Sequence, residues 1–272
     1  METLETTKKF DELVIVKVRT STLIDKSCMD WLALDEHSFN NIGKQVTALS
    51  DKGMAVAIVS SGAIATGYAY SHEKRTHETR QDTIEKQRMA CLGQTTLMSY
   101  WQNALKSKLV GQLLFTKREL ESPEGVELRT VTTRLFERGD IAIANENDAL
   151  SHEEISFGDN DTLAARFAIL LHKSGLFKRT RLIILSDIDG VYEDINDHHT
   201  VITTIDDTGK YQHIARGTGS ANGTGGMASK FKAAKIATEH GVEMYIANGC
   251  TEWAIERALN GKIGTHFTAK TN

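Results

Sequence analysis

Residues 39–62 read FNNIGKQVTALSDKGMAVAIVSSG. Phe39, Ile42, Val46 and Leu49 recur at helical spacing, and Lys52-Gly53 supplies a last-turn cation followed by a glycine able to take positive φ. Met54 to Val59 is then a short apolar strand run, ending in Ser60-Ser61-Gly62-Ala63, a small-residue turn that opens another helix. Helix, stop, strand and turn form a unit that recurs along the chain. Further strand runs lie at Leu13 to Val18, Leu109 to Phe115, Ile141 to Ala144, Leu182 to Leu185 and Val242 to Ala247. Helical patterns fill the intervals at Thr83 to Lys108, Glu124 to Arg138, Asp161 to Lys173, Ser229 to His240 and Glu252 to Asn260. His240-Gly241 repeats the stop signal. Such alternation predicts an α/β fold, a mainly parallel central sheet covered on both faces as a three-layer αβα sandwich. Ser71 to Lys86, dense in Glu, Lys, Arg and His, reads as a solvated helix face or a mobile loop.

Composition narrows the function classes. In 272 residues, 40% are hydrophobic and a further 21 are glycine, which excludes a disordered chain. A formal charge of −4 supplies no whole-protein positive field for nucleic acid, although a local basic pocket stays open. No apolar run approaches the ~18 residues of a membrane span, and the N-terminal METLETTKKFDE is too polar for a secretory signal, so a cytoplasmic protein is expected. Cys28, Cys91 and Cys250 are too few and too scattered for a disulfide framework or a cysteine zinc site. The single proline, Pro123, argues against any Pro-rich linker.

The chemistry-bearing residues gather just after the strand runs, where the ligand crevice of a parallel sheet lies. Lys17 sits inside VIVKV, where a buried ammonium would need an anionic partner; alternatively it is a solvated edge residue. Ser61-Gly62 offers backbone N–H groups and a helix dipole to an anion, or is an ordinary turn and cap. Asn145-Glu146-Asn147-Asp148 and Gly158-Asp159-Asn160-Asp161 bring amides and carboxylates together, as for a cationic or donor-rich ligand; singly, Asp148 and Asp161 read as caps. Ser186-Asp187-Ile188-Asp189-Gly190 is a plausible turn. Residues 217–230, GTGSANGTGGMASK, place five glycines before a helix with Lys230 in its first turn, a pattern that suits phosphate oxygens and also describes a flexible loop. The Walker A spacing is absent. His72, His77 and His198-His199 lack metal-site spacing, so no metal ligands are assigned.

Taken in order, VIVKVRTSTL, VSSGAIATG, IANENDAL, FGDND, LSDIDGVY and GTGGMASK resemble the glutamate 5-kinases of the amino acid kinase family, from about Leu13 to Phe267. The resemblance implies one amino acid kinase domain over 1–272, with an acid-substrate lobe at about 1–175 and a nucleotide lobe at about 176–272. It implies the short form, without the additional C-terminal RNA-modification-like domain that many members carry. Lys17, Lys230 and Asp161 are then the catalytic group, the lysines on phosphate and the aspartate organising them. Ser61, Gly62, Asp148 and Asn160 bind the acid substrate. Lys17, Ser186, Asp187, Thr224, Gly225, Gly226, Met227 and Lys230 bind ATP.

The implied reaction is phosphorylation of the γ-carboxylate of L-glutamate by ATP with Mg²⁺ bridging its phosphates, the first step toward proline. The implied ligands and assembly are glutamate, ATP, proline as feedback inhibitor and a homodimer or homotetramer. Two alternatives stand beside it: a sister kinase with another acid substrate, and a non-catalytic or weakly active paralogue sensing glutamate, proline or ATP. The chain departs from the family in two places. Arg19 replaces the glycine of K-[LIV]-G-[TS]-S, and Leu120 to Thr133 lacks the usual acidic and Asn-Ala-Arg-containing pattern. If that turn needs positive φ, Arg19 brings strain of ~1 to 2 kcal/mol along with five donors and a fixed charge. Its guanidinium would then either grip a phosphate oxygen or fill the phosphate space, and the expectation is that it lowers rather than abolishes activity, with Arg19→Gly raising kcat/KM for ATP.

Overall fold

The computed structural model describes residues 10–25, 33–150, 159–194, 196–197, 199–211, 213–214 and 226–270, except the side chain of residue 80. In chain order the elements are β1 (Phe10–Val18), α1 (Thr20–Leu23), β2 (Ile24–Asp25), β3 (Ala33–Leu34), α2 (Glu36–Asp51), β4 (Ala55–Ser60), α3 (Ala63–Ser71), α4 (His77–Gln81), α5 (Thr83–Ala104), β5 (Val110–Phe115), α6 (Lys117–Glu121) and α7 (Gly125–Arg138). There follow β6 (Ile141–Glu146), α8 (Asn160–His172), β7 (Phe177–Ser186), β8 (Val191–Tyr192), β9 (Val201–Ile202), β10 (Thr204–Ile205), α9 (Met227–Thr238), β11 (Glu243–Asn248), α10 (Ala254–Leu259) and β12 (Thr265–Phe267).

Eight strands form one sheet in the order β10-β12-β11-β7-β1-β4-β6-β5, parallel except where β11 meets β12. Strand β1, with the apolar run LVIV, lies inside it, because a strand buried on both faces needs apolar side chains on both. Alternation along β1 sends Leu13 and Ile15 into a core with Phe167 of α8 and Phe231 of α9, while Val14, Val16 and Val18 join Phe39 of α2 and Trp101 of α5 on the other face. Lys17 therefore emerges on the α8–α9 face, and the edge-residue alternative for it is overturned. The chain leaves β1 for β4 on one side and returns to β7 on the other, so a topological switch point falls at the carboxyl end of β1.

The strands and helices run a few residues beyond or short of the sequence expectations for local reasons. The strand expected at Leu182 to Leu185 begins at Phe177, because Arg179 pairs with Glu243 at 2.7 Å and Arg181 with Glu12, hiding a strand behind charges that neighbouring strands satisfy. The segment 71–86 is part helix and part connection: a non-helical stretch at 72–76 leads into α4, N-capped by Thr76 through a reciprocal capping box with Thr79, and α5 begins at Thr83. Gly53 and Gly241 take φ of +84° and +79° at the two helix stops. Cys91 and Cys250 are exposed and unbridged, while Cys28 lies outside the described residues. Among the described residues no helix is long and apolar enough to cross a membrane.

Helix α3 packs on α5 almost backbone to backbone. A Cβ on Gly93 would be driven into the Ala63 carbonyl, and one on Gly67 into that of Met89. This contact fixes the N-terminus of α3 against the carboxyl end of β4, where Gly62 turns the chain at φ +108° and Ser61 N donates to Val18 O at 3.0 Å.

Candidate active site

At the switch point Lys17 Nζ lies 2.6 Å from Asp161 Oδ1, and Lys230 Nζ lies 3.2 Å from Asp161 Oδ2. All three side chains are at most 5% exposed. Each arrives by an independent route: Lys17 from the strand alternation, Asp161 in the first turn of α8 and Lys230 in the first turn of α9. Burial pushes the Lys17 ammonium below its ordinary value against the pull of Asp161, with Lys230 and Arg19 lowering it further. For Asp161, burial acts upward, but Lys17 and Lys230 outweigh it and hold the carboxyl below its ordinary range. Two ammonium groups thus meet one carboxylate on the wall of a cavity of about 640 Å³.

The β4 and β6 side of that cavity is made differently. Asn160 Nδ2 lies 3.0 Å from Ser61 Oγ, 3.0 Å from Asn145 Oδ1 and 3.2 Å from Ser60 O. The parallel pairing of β4 with β6 sets Val59 beside Ala144, and Ser60 and Asn145 are the next residues on each strand, which makes the bridge local to two neighbouring strand ends. Asn145 Nδ2 donates to Gln94 Oε1 of α5 at 3.0 Å, extending the amide chain into the α3–α5 pair. Asp159 caps α8 by accepting from Thr162 N at 2.6 Å. Glu146 is buried and Asp148 partly so, both on the cavity wall. Burial, with the neighbouring Glu146 adding to it, pushes the Asp148 carboxyl up to about 7.

At the end of β7, Ser186 Oγ donates to Asp187 Oδ1 at 3.1 Å, and Arg19 Nη1 donates to the same oxygen at 2.7 Å. For Asp187, burial raises the carboxyl and the charge of Arg19, with hydrogen bonds, more than reverses it. Arg19 itself has φ −77° and ψ 150°, an extended conformation open to any residue. The steric cost expected of an arginine in this turn is therefore absent, a correction that follows from the chain staying extended between β1 and α1.

Of the residues selected from the sequence, the cavity wall brings together Lys17, Ser61, Gly62, Asp148, Asn160, Asp161 and Asp187, with Lys230 joined through Asp161. Ser186 adjoins through Asp187, Gly226 caps α9, and Met227 is buried in the core beneath it. Thr224 and Gly225 lie outside the described residues. Sequence reasoning did not select Arg75, Gln94, Asn145, Glu146 or Asp159 as site residues. Asn145, Glu146 and Asp159 stood inside recognised clusters, whereas Gln94 and Arg75 carry no local signal. Arg75 reaches the cavity from the segment between α3 and α4, beside the ring of Tyr68.

A mainly parallel sheet, a buried Lys-Asp-Lys constellation at its switch point and an amide-lined acidic wall opposite define a class, and the chain belongs to the amino acid kinase family, which residues 12–248 match. Within it the chain belongs with the glutamate 5-kinases. It is 40% identical over 265 residues to glutamate 5-kinase of Clostridium acetobutylicum, covering 94% of each chain. To that of Thermus thermophilus it is 36% identical over 263 residues, covering 94% of this chain and 67% of the relative. Among solved structures, N-acetylglutamate synthase from Neisseria gonorrhoeae superposes with a TM-score of 0.66 at 17% identity, over 95% of this chain and 62% of that one. UMP kinase from Bacillus anthracis gives 0.62 at 15%, over 97% and 98%. Both are likenesses of fold.

Proposed function

We propose that the chain transfers the γ-phosphoryl group of ATP to the γ-carboxylate of L-glutamate, giving ADP and γ-glutamyl phosphate for proline synthesis. A carboxylate of pKa ~4.3 is ionised at pH 7, so no general base is needed to create the nucleophile. The obstacle is repulsion between anions. In this reading a carboxylate oxygen attacks the γ-phosphorus while the bond to the ADP oxygen breaks, and Lys17 and Lys230 neutralise the phosphoryl oxygens. Asp161 holds both ammonium groups, so their positions are set before substrates arrive.

Residues 1–175 serve the acid in this assignment and 176–272 the nucleotide. Ser61, the Gly62 turn and Asn160 hold the glutamate carboxylates, and Asp148 pairs with its ammonium. Ser186 and Asp187 border the nucleotide, with Thr224, Gly225, Gly226 and Met227 leading to Lys230. In this reading Mg²⁺ is carried on the nucleotide phosphates, as this cation usually is, beside the carboxylates of the cavity wall. When bound there, the ion supplies charge neutralisation of the phosphates.

The observation that supports the reading most is the convergence of Lys17 and Lys230 on Asp161, on the same cavity as Asp148. Its test is ADP release with Mg-ATP across glutamate, N-acetylglutamate and aspartate, with hydroxylamine trapping the acyl phosphate as a hydroxamate. Glutamate is expected to dominate, since an acetylated amine gains nothing from a carboxylate at position 148. Equal or greater turnover with either analogue overturns the substrate assignment.

A further inference from the structure

A third cation stands in the cavity. Arg19 follows Lys17 by two residues, at the end of β1, and meets Asp187 at the end of β7, the neighbouring strand in the sheet. Among the described residues the bond from Nη1 to Asp187 is the one hydrogen bond its guanidinium makes. Guanidinium carries five N–H donors in a planar fork, so most of the fork remains open. The side chain is 29% exposed and its backbone is unstrained, which places the charge at the cavity mouth without conformational cost. With Arg19 in place the cavity still measures about 640 Å³, so the side chain lines it rather than fills it.

Charge favours an anion at this fork. The walls carry Glu146, Asp148, Asp159, Asp161 and Asp187, and a polyphosphate bound among them needs cations beyond the two lysines; Arg75 enters from the segment between α3 and α4, and Arg19 is supplied at the β1 and β7 ends. A guanidinium can keep one carboxylate while donating to a second oxyanion, which an ammonium of the same reach does less well. Resting on the kinase reading above, we infer that Arg19 is a phosphate-binding residue of this chain, aimed by Asp187 so that its free N–H groups meet the terminal phosphates of the bound nucleoside triphosphate. Asp187 is then a positioning residue for Arg19.

Equilibrium binding of ATP, ADP and adenosine to wild type, Arg19→Gln, Arg19→Lys and Arg19→Gly tests this without any turnover. Arg19→Gln is expected to weaken ATP roughly tenfold to a hundredfold, the usual range for a lost charge-assisted contact, with adenosine unchanged and Arg19→Lys recovering part. A larger loss for ATP than for ADP would assign the contact to the γ-phosphate, and equal losses to the β-phosphate. In turnover, KM for ATP should rise more than KM for glutamate. Unchanged or tighter ATP binding by the Gln and Gly variants would overturn the inference and make the side chain a space-filler. So would equal losses of ATP and adenosine, which mean a distorted pocket. If wild type binds ATP but yields no hydroxamate with glutamate, the substrate assignment fails while Arg19 is still decided by the nucleotide series.

Discussion

The two walls of the cavity are built by opposite strategies. On the β1 and β7 side, three ionised side chains at most 5% exposed are locked into one another, with Arg19 and Asp187 at the rim. On the β4 and β6 side, neutral amides and a serine form a chain of hydrogen bonds, and Asp148 stands on the cavity wall as a partly buried acid beside Glu146. A buried ion-pair network is costly to assemble and still costlier to break, because removing one member leaves another charge buried and unpaired. Amide networks set geometry with little charge, and leave a raised carboxyl free to respond to a ligand. Fixed positive charge suits a group that must be neutralised only as it transfers. Adjustable negative charge suits an ammonium that must arrive and leave.

Breaking the fixed wall should have the largest effect. Lys230→Ala is expected to lower kcat by about 10² to 10³ while glutamate binding persists, since a preorganised contact to developing charge is worth several kcal/mol. Rapid-quench measurement of acyl phosphate, with circular dichroism to verify folding, decides it. A kcat near wild type would reduce Lys230 to a structural lysine. On the adjustable wall, Asp148→Asn should instead raise KM for glutamate by about tenfold to a hundredfold and leave KM for ATP nearly unchanged, the loss expected when a charged contact is removed. Selective loss of ATP affinity would put Asp148 on the wrong side of the comparison.

Gly93 sharpens the contrast from a distance, because the second wall depends on the α3–α5 contact and the first does not. Gly93→Ala forces a methyl into the Ala63 carbonyl. Overpacking of this kind costs about 1–3 kcal/mol, seen as a melting temperature lower by roughly 2–4 °C for each kcal/mol. As α3 shifts, KM for glutamate should rise a few-fold more than KM for ATP. Equal rises would show that both walls share one support.

How far the residues alone reveal this arrangement follows the same division. Lys17 was readable because a charge inside VIVKV must either sit at an edge or meet an acid, and only the strand order decides which. Once β1 is interior, alternation sends Lys17 toward α8 and α9, so the first wall follows from period and topology. The second wall was half readable: Asn160 and Asp148 stand in dense polar clusters, but Gln94 sits mid-helix in α5 and joins Asn145 only through a packing that the adjacent Gly93 and the remote Gly67 permit. Arg75 lies in a stretch whose charges all look solvated. The N-terminal half of β7 was hidden for a similar reason, its arginines being neutralised by Glu12 and Glu243 on neighbouring strands. Side chains that act across such long separations leave no periodic trace.

The smallest expected effect is a pH response confined to the adjustable wall. Asp148 in the unliganded chain holds its proton up to about 7, against an ordinary 3.8, through burial and then Glu146. Because kcat/KM reports the free enzyme, glutamate capture should fall as pH is lowered through 7, by up to about tenfold between pH 8 and pH 6 if only the ionised carboxylate accepts the ammonium. Stability should move in the opposite sense. A proton held more tightly in the folded chain than in the unfolded one stabilises the fold fully below the unfolded pKa, and that contribution is lost as pH rises toward 7 and stays lost above it. Unliganded wild type should therefore gain melting temperature between pH 8 and pH 5.5 relative to Asp148→Asn, whose difference should be flat, while saturating glutamate should erase the gain by favouring the ionised form. A kinetic limb that persists unchanged in Asp148→Asn would assign the titration to another group.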